Sequence, residues 1–132
     1  MKIVGHGIDL VHLPEFEKLL ELSETAFTSR SFSKTEINAF TKGPKRLEQI
    51  AGRFAAKEAA LKALGTGFGN GIALTDVQIS REPSAPPKIQ VSGGAAKMAD
   101  QLGIVEWWLS ISHSGDMAIA SVIAVSKLSP RN

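Results

Sequence analysis

The feature that most constrains this chain is the alanine-rich stretch from Lys45 to Leu64, which contains Arg53-Phe54-Ala55-Ala56-Lys57-Glu58-Ala59-Ala60-Leu61-Lys62. Its composition and spacing predict the longest helix of the chain, preceded by Gly43-Pro44 and closed by Gly65. At roughly 100° per residue, Leu47, Ile50, Phe54, Leu61 and Gly65 share one direction. Glu58 falls in the middle of that apolar stripe. A buried, unpaired carboxylate is costly, so Glu58 calls for a cation, a metal or a proton as compensation. Lys62 stands one turn further on. Its plain reading is a surface ion pair with Glu58, which contributes about 0.3–0.5 kcal/mol. Arg46, Arg53 and Lys57 form a second stripe on one flank. That stripe is either a solvated face or a surface for phosphate or an acidic partner.

The remaining elements mix strands and helices without regular alternation, which predicts an α+β fold. Lys2 to Val11 reads as a buried strand interrupted by Gly5 and Gly7. Pro14 suits the first turn of a helix through Leu20. Ser33-Lys34-Thr35-Glu36 has the shape of a capping box and opens a short helix that stops at Gly43-Pro44. Ala73 to Ser80 and Lys88 to Val91 read as strands, and a small helix follows Gly93-Gly94 and ends near Leu102-Gly103. Val105 to His113 and Met117 to Val125 make a hairpin through Ser114-Gly115-Asp116. Ala118, Ala120 and Ala124 give the last strand a small-residue face that a helix can approach closely. The 132 residues make one domain over 1–125, with a loose tail over 126–132.

Composition removes several chemistries. There is no Cys, which excludes disulfides, thiolate catalysis and cysteine metal sites. Fifteen Lys and Arg against thirteen Asp and Glu leave a net charge of +2, too small to argue for nucleic acid. The longest apolar run, Met117 to Val125, is far shorter than the roughly 20 residues that a spanning helix needs. The start, Met1-Lys2-Ile3-Val4-Gly5-His6, lacks the pattern of a secretory leader, and the expectation is a soluble cytosolic protein.

Asp9 is a second misplaced acid, because strands disfavour Asp and the two glycines on its side leave space beside the backbone. Its plain reading is a turn residue or helix cap at the strand end. Taken together, Asp9 and Glu58 offer hard oxygen donors suited to Mg²⁺, with phosphate oxygens and water completing the shell. His113 ends a strand in Ser110-Ile111-Ser112-His113-Ser114 and is either structural or a ligand-binding residue. His6 and His12 suggest no role. The glycine-rich run Gly65 to Gly71 follows a helix rather than a strand and lacks Gly-Lys-Ser/Thr, so it reads as a turn rather than a nucleotide loop.

Three segments in this order, Gly7-Ile8-Asp9-Leu10-Val11, Phe54 to Gly67, and Ser110 to Ser114, resemble the bacterial holo-[acyl-carrier-protein] synthases, which are 4'-phosphopantetheinyl transferases. The resemblance runs from about Ile3 to Val125. It implies an α+β fold, a Mg²⁺ site at Asp9 and Glu58, and coenzyme A as donor to a serine of an acyl carrier protein. It also implies a homotrimer with active sites at subunit interfaces. Coenzyme A contacts are implied at Arg53, Phe54, Lys62, Gly65, Pro87 and His113, with Arg46 as a further phosphate ligand. Glu58 is the implied proton acceptor and Lys62 the residue that stabilises the leaving phosphate. The chain departs from its relatives at Glu15, where a basic residue is usual for meeting an acidic carrier helix. That departure suggests docking through Lys18, Arg30 and Lys34 instead. The competing reading is a non-catalytic coenzyme A or nucleotide-binding module, which has no need of paired acids.

Overall fold

The computed structural model describes residues 1–65 and 71–127. Most of the expected loop after Leu64, and most of the expected tail, lie outside them. Strand β1 (Lys2–His12) leads directly into helix α1 (Leu13–Ser31), followed by α2 (Lys34–Ala39) and α3 (Arg46–Ala63). A 3-10 turn (Leu74–Asp76), β2 (Val77–Ser80), β3 (Lys88–Val91), α4 (Gly93–Leu102), β4 (Ile104–Ser114) and β5 (Met117–Ser126) complete the chain. The antiparallel sheet has the order β1-β5-β4, with β2 and β3 forming a separate pair. This is the α+β architecture expected from the sequence.

Helix α3 lies across the sheet at very close range. A Cβ on Gly7 would stand 1.8 Å from the Ala59 carbonyl oxygen, and one on Gly5 would stand 1.9 Å from that of Ala63. Ala118, Ala120 and Ala124 of β5 are fully covered beneath the same helix. Small residues on both partners therefore let the helix backbone touch the strand backbone, and no larger side chain fits between them.

Three details differ from the sequence reading. Helix α1 runs well past Leu20 and breaks at Ser23, whose φ of −168° and ψ of 63° divide it into two halves. The short helix α2 ends at Ala39, before Gly43-Pro44. The segment from Ala73 to Ser80 is strand only from Val77, because a 3-10 turn precedes it.

The larger correction concerns the flank of α3. Arg46, Arg53 and Lys57 do not form one common stripe, because they face different surroundings. Lys57 is completely buried, and its ammonium donates to Glu36 Oε1 at 2.8 Å and to the carbonyls of Leu74 and Val77. Glu36 also accepts from the backbone N–H of Ser33 and of Ile79, so the expected capping box of α2 is present and extends into a buried network. Burial lowers the proton affinity of Lys57, and the Glu36 carboxylate opposes that effect. Arg46 reaches across to Glu24 of α1 at 2.5 Å.

Candidate active site

Asp9 shares the inner side of β1 with Gly5 and Gly7, where α3 passes over the strand. The glycines hold α3 close enough for Lys62 to span the gap. Its ammonium donates to Asp9 Oδ1 at 3.1 Å and to the Ile8 carbonyl at 2.9 Å. Lys62 is therefore paired with Asp9 across the interface rather than with Glu58 along its own helix. Glu58 lies one turn back, half-buried, and lines a groove of about 410 Å³ together with Asp9 and Phe54. The sequence reading placed Glu58 in the centre of a buried stripe. In the structure α3 is covered on nearly every side, and Glu58 sits at the open seam between its sheet-facing and α1-facing sides.

Burial raises the Glu58 carboxyl above the usual carboxylate range. The Asp9 charge pushes it the same way, and Lys62 partly opposes them. Two half-desolvated carboxylates that repel one another, with only hard oxygen donors, suit a divalent cation such as Mg²⁺. Among the described residues no group of three or more His, Asp or Glu side chains could hold a metal alone. A cation here would take its remaining ligands from substrate oxygens and water.

The other predicted site residues divide between positions. Phe54 packs against Phe16 and Phe27, with ring centroids 5.6 and 5.2 Å apart, and forms the floor beside Glu58. Arg53, Pro87 and His113 come together in a different cavity of about 320 Å³, along with Lys45 and Arg81. There Arg53 donates to the Ile79 carbonyl at 3.3 Å, and His113 Nε2 lies 2.9 Å from the Glu48 carbonyl. Burial lowers the proton affinity of Arg53. Gly52 leaves room for this contact, since a Cβ on it would meet the Ile111 side chain at 2.9 Å and His113 Nε2 at 3.1 Å. Gly65 ends α3 with φ of +75°, the left-handed conformation that favours glycine. Arg46, held by Glu24, lines a third groove. Within one chain, then, Asp9, Glu58, Lys62 and Phe54 form one group, and Arg53, Pro87 and His113 form another. Sequence reasoning missed Lys45 and Arg81 in the second cavity, for which only their charge gave a signal.

A small α+β domain whose paired carboxylates and lysine meet at a strand–helix contact has the donor set of an enzyme acting on phosphate esters. Comparison with known proteins narrows this class. The model of the 4'-phosphopantetheinyl transferase superfamily (ACPS) matches residues 5–121. A holo-[acyl-carrier-protein] synthase of Vibrio vulnificus is 40% identical over 123 residues, covering 93% of this chain and 98% of the relative. One from Hydrogenovibrio crunogenus is 39% identical over 95% of this chain and 98% of its own length. Among solved structures, the Neisseria meningitidis holo-[acyl-carrier-protein] synthase superposes with a TM-score of 0.84 at 31% identity, covering 95% of this chain and 100% of that one. The Helicobacter pylori enzyme in complex with coenzyme A gives 0.80 at 34% identity, over 91% and 99%. The chain belongs to the 4'-phosphopantetheinyl transferase superfamily, and within it to the holo-[acyl-carrier-protein] synthases.

Proposed function

We propose that this enzyme moves the 4'-phosphopantetheine group of coenzyme A onto a serine of an apo acyl carrier protein, releasing adenosine 3',5'-bisphosphate, with Mg²⁺ as its cofactor. The observation that carries this reading is the convergence of Asp9, Glu58 and Lys62 at the contact between β1 and α3. Asp9 and Glu58 would hold the cation, which when bound neutralises charge on the pyrophosphate and makes its phosphorus more open to attack.

The protein's own groups do the rest. The acceptor serine Oγ attacks the β-phosphorus of coenzyme A. A new P–O bond forms there, the bond to the bridging oxygen breaks, and adenosine 3',5'-bisphosphate leaves with that oxygen. Glu58 takes the serine proton, and its raised proton affinity suits that task better than an ordinary surface carboxylate would. Lys62 sets an ammonium where charge grows on the leaving phosphate. Arg53, Pro87 and His113, with Lys45 and Arg81 beside them, offer cations and a ring nitrogen to the nucleotide end of the donor. Phe54, Gly65 and Arg46 complete the expected donor contacts.

The two groups of residues face different cavities of one chain, which supports a site shared between copies. The outer face of the sheet supports the same arrangement. Ile8, Leu10 and Trp108 are 48%, 58% and 57% exposed on one face, and the strand register sets Ile119 and Ile123 beside them. An apolar sheet face of this kind fits burial against further copies, and we take the assembly to be a homotrimer. The working compartment is the cytoplasm. The test is to incubate the protein with coenzyme A, Mg²⁺ and an apo acyl carrier protein and then weigh the carrier. A gain of one phosphopantetheinyl group is expected, and an unchanged mass across several carriers refutes the reading.

A further inference from the structure

Strand β1 alternates between two surroundings. Gly5, Gly7 and Asp9 lie on the side of α3, while His6, Ile8 and Leu10 are exposed on the opposite face of the sheet. The strand register sorts that outer face into rows: Trp108–Ile123–His6, then Ser110–Ser121–Ile8, then Ser112–Ile119–Leu10. His6 thus sets an imidazole at the end of an otherwise apolar row. Among the described residues its one hydrogen-bond partner is the neutral Ser121 hydroxyl, 3.3 Å from Nε2. The sequence reading gave this histidine no role.

Among the described residues no counter-charge stands beside it. The neighbouring strand, β5, carries no charged residue. In β4 the titratable groups are Glu106 and His113, and His113 turns to the α3 side, where it meets the Glu48 carbonyl. Glu106 shares the outer face, but two strands across and one row along, roughly 12 Å away at ordinary sheet spacings. Lys2 and the chain terminus at Met1 line the groove beside Trp108 and Ile123, and they bring like charge. His12 and Glu15 stand at the far end of β1, 3.6 Å from one another. Asp9, Glu58 and Lys62 belong to the α3 side. A protonated His6 is therefore a cation among Ile8, Ile123 and a hydroxyl.

We infer that His6 makes assembly of this chain pH-sensitive: its neutral ring can be covered between copies, and its protonated ring opposes their association. The inference rests on the homotrimer taken above. Identical copies bring only this same face, so each adds another His6 and no group that the lone chain lacks. A neutral imidazole keeps its Ser121 contact when covered. An imidazolium loses its water and gains no carboxylate except a distant Glu106. Imidazole ordinarily changes charge between about pH 5 and 8, which sets the working range. The covered ring disfavours the proton, so association releases up to one proton per chain and tightens as pH rises. For three chains the association constant gains up to about a thousandfold per pH unit below the titration of the ring.

Sedimentation equilibrium of the full chain at about pH 8 and about pH 5.5, at one ionic strength, reads this directly. The unaltered protein should sediment as three chains at the higher pH. At the lower pH it should need at least about tenfold more protein to reach half-assembly. His6→Leu removes the charge and keeps an apolar side chain, so it should assemble equally at both values. His12→Gln, at the other end of the strand, should keep the pH dependence of the unaltered protein. Far-ultraviolet circular dichroism shows that each protein is folded at both values. Equal assembly of the unaltered protein at both values overturns the inference. So does a pH dependence that survives His6→Leu or vanishes in His12→Gln. Assembly that tightens at the lower pH overturns it as well, because His6 would then have found Glu106 of another copy. The mass of the unaltered protein at the higher pH decides the trimer reading by itself.

Discussion

Lys62 of α3 and Asp9 of β1 meet at 3.1 Å across the strand–helix contact, with the Lys62 ammonium also held by the Ile8 carbonyl. Only 19% of the Asp9 side chain is exposed, against 54% of that of Lys62, so the pair joins a half-sheltered carboxylate to a solvent-facing cation. Lys62 thus holds Asp9 in place while leaving its own outer side open to a substrate anion. Lys62→Met should therefore lower kcat by about 10²–10³, the usual cost of losing one positioned donor to a developing charge. Because the pair is exposed on the lysine side, stability should change by less than about 1 kcal/mol. Steady-state rates at saturating coenzyme A and a urea titration read the two effects separately.

Glu58 presents a conflict between stability and activity. Its carboxyl is raised by burial and by the Asp9 charge, so the folded metal-free protein binds the Glu58 proton more tightly than the unfolded chain does. Between the unfolded and folded pKa values the unfolded state then holds fewer protons, and stability falls as pH rises through that window. Above it the full penalty of the buried charge remains. Glu58→Gln removes the ionisation, so at neutral pH without metal its Tm should equal or exceed that of the unaltered protein. Its melting temperature should also depend less on pH above 4.5. Turnover with Mg²⁺ should be lost in this variant, and in Asp9→Asn as well, since each removes a hard anionic ligand. A Tm that drops in Glu58→Gln, or full activity in the presence of a chelator, would contradict the assigned roles.

The buried pair of Lys57 and Glu36 makes a different prediction, about stability alone. Lys57→Met leaves Glu36 buried without its cation and should cost about 3–5 kcal/mol. Lys57→Met combined with Glu36→Gln removes both charges and should recover most of that loss, because replacing a whole buried pair is commonly near neutral. Urea unfolding of the two variants measures the difference. Equal losses in both would contradict this prediction.

How much of this was legible in the sequence depended on whether a residue looked out of place. Asp9 in a strand and Glu58 in an apolar stripe violated a local pattern, and both proved to line one groove. The glycines at 5 and 7 and the alanines of β5 signalled close packing, and α3 does lie on them. Lys57 gave no such signal, since a lysine beside a glutamate on a helix looks solvated. Its direction was nevertheless available: it lies within about 40° of Ile50 and Leu61, both of which are buried. What a single helical pattern could not supply was the partner, because Glu36 is 21 positions away and its capping role already accounted for it. The break at Ser23 was also hidden: Ser favours caps and turns, but a single Ser within a helical pattern does not by itself mark a break.

The exposed outer face of the sheet supports the last prediction. In a lone chain Trp108 is 57% exposed and sits opposite Ile123 of β5, which in turn pairs with His6 of β1. Ile8 and Leu10 continue the apolar surface along the edge strand. The face opposite α3 thus carries an apolar patch of Ile8, Leu10, Trp108, Ile119 and Ile123 among His6, Ser110 and Ser121, and covering that patch with other copies removes its area from water at roughly 25 cal/mol per Å². Light scattering of the unaltered protein at working concentration should give three times the chain mass. Trp108→Glu puts a charge into this face on the edge strand β4. It costs the single chain little, because the side chain is largely exposed there, but it cannot be buried between copies without a partner charge. The variant should therefore run at the mass of one chain, keep the far-ultraviolet circular dichroism of the native fold, and lose transferase activity, because the residue groups around Glu58 and around His113 would no longer meet across an interface. An unaltered protein that is fully active as a monomer would remove both the trimer and the shared site.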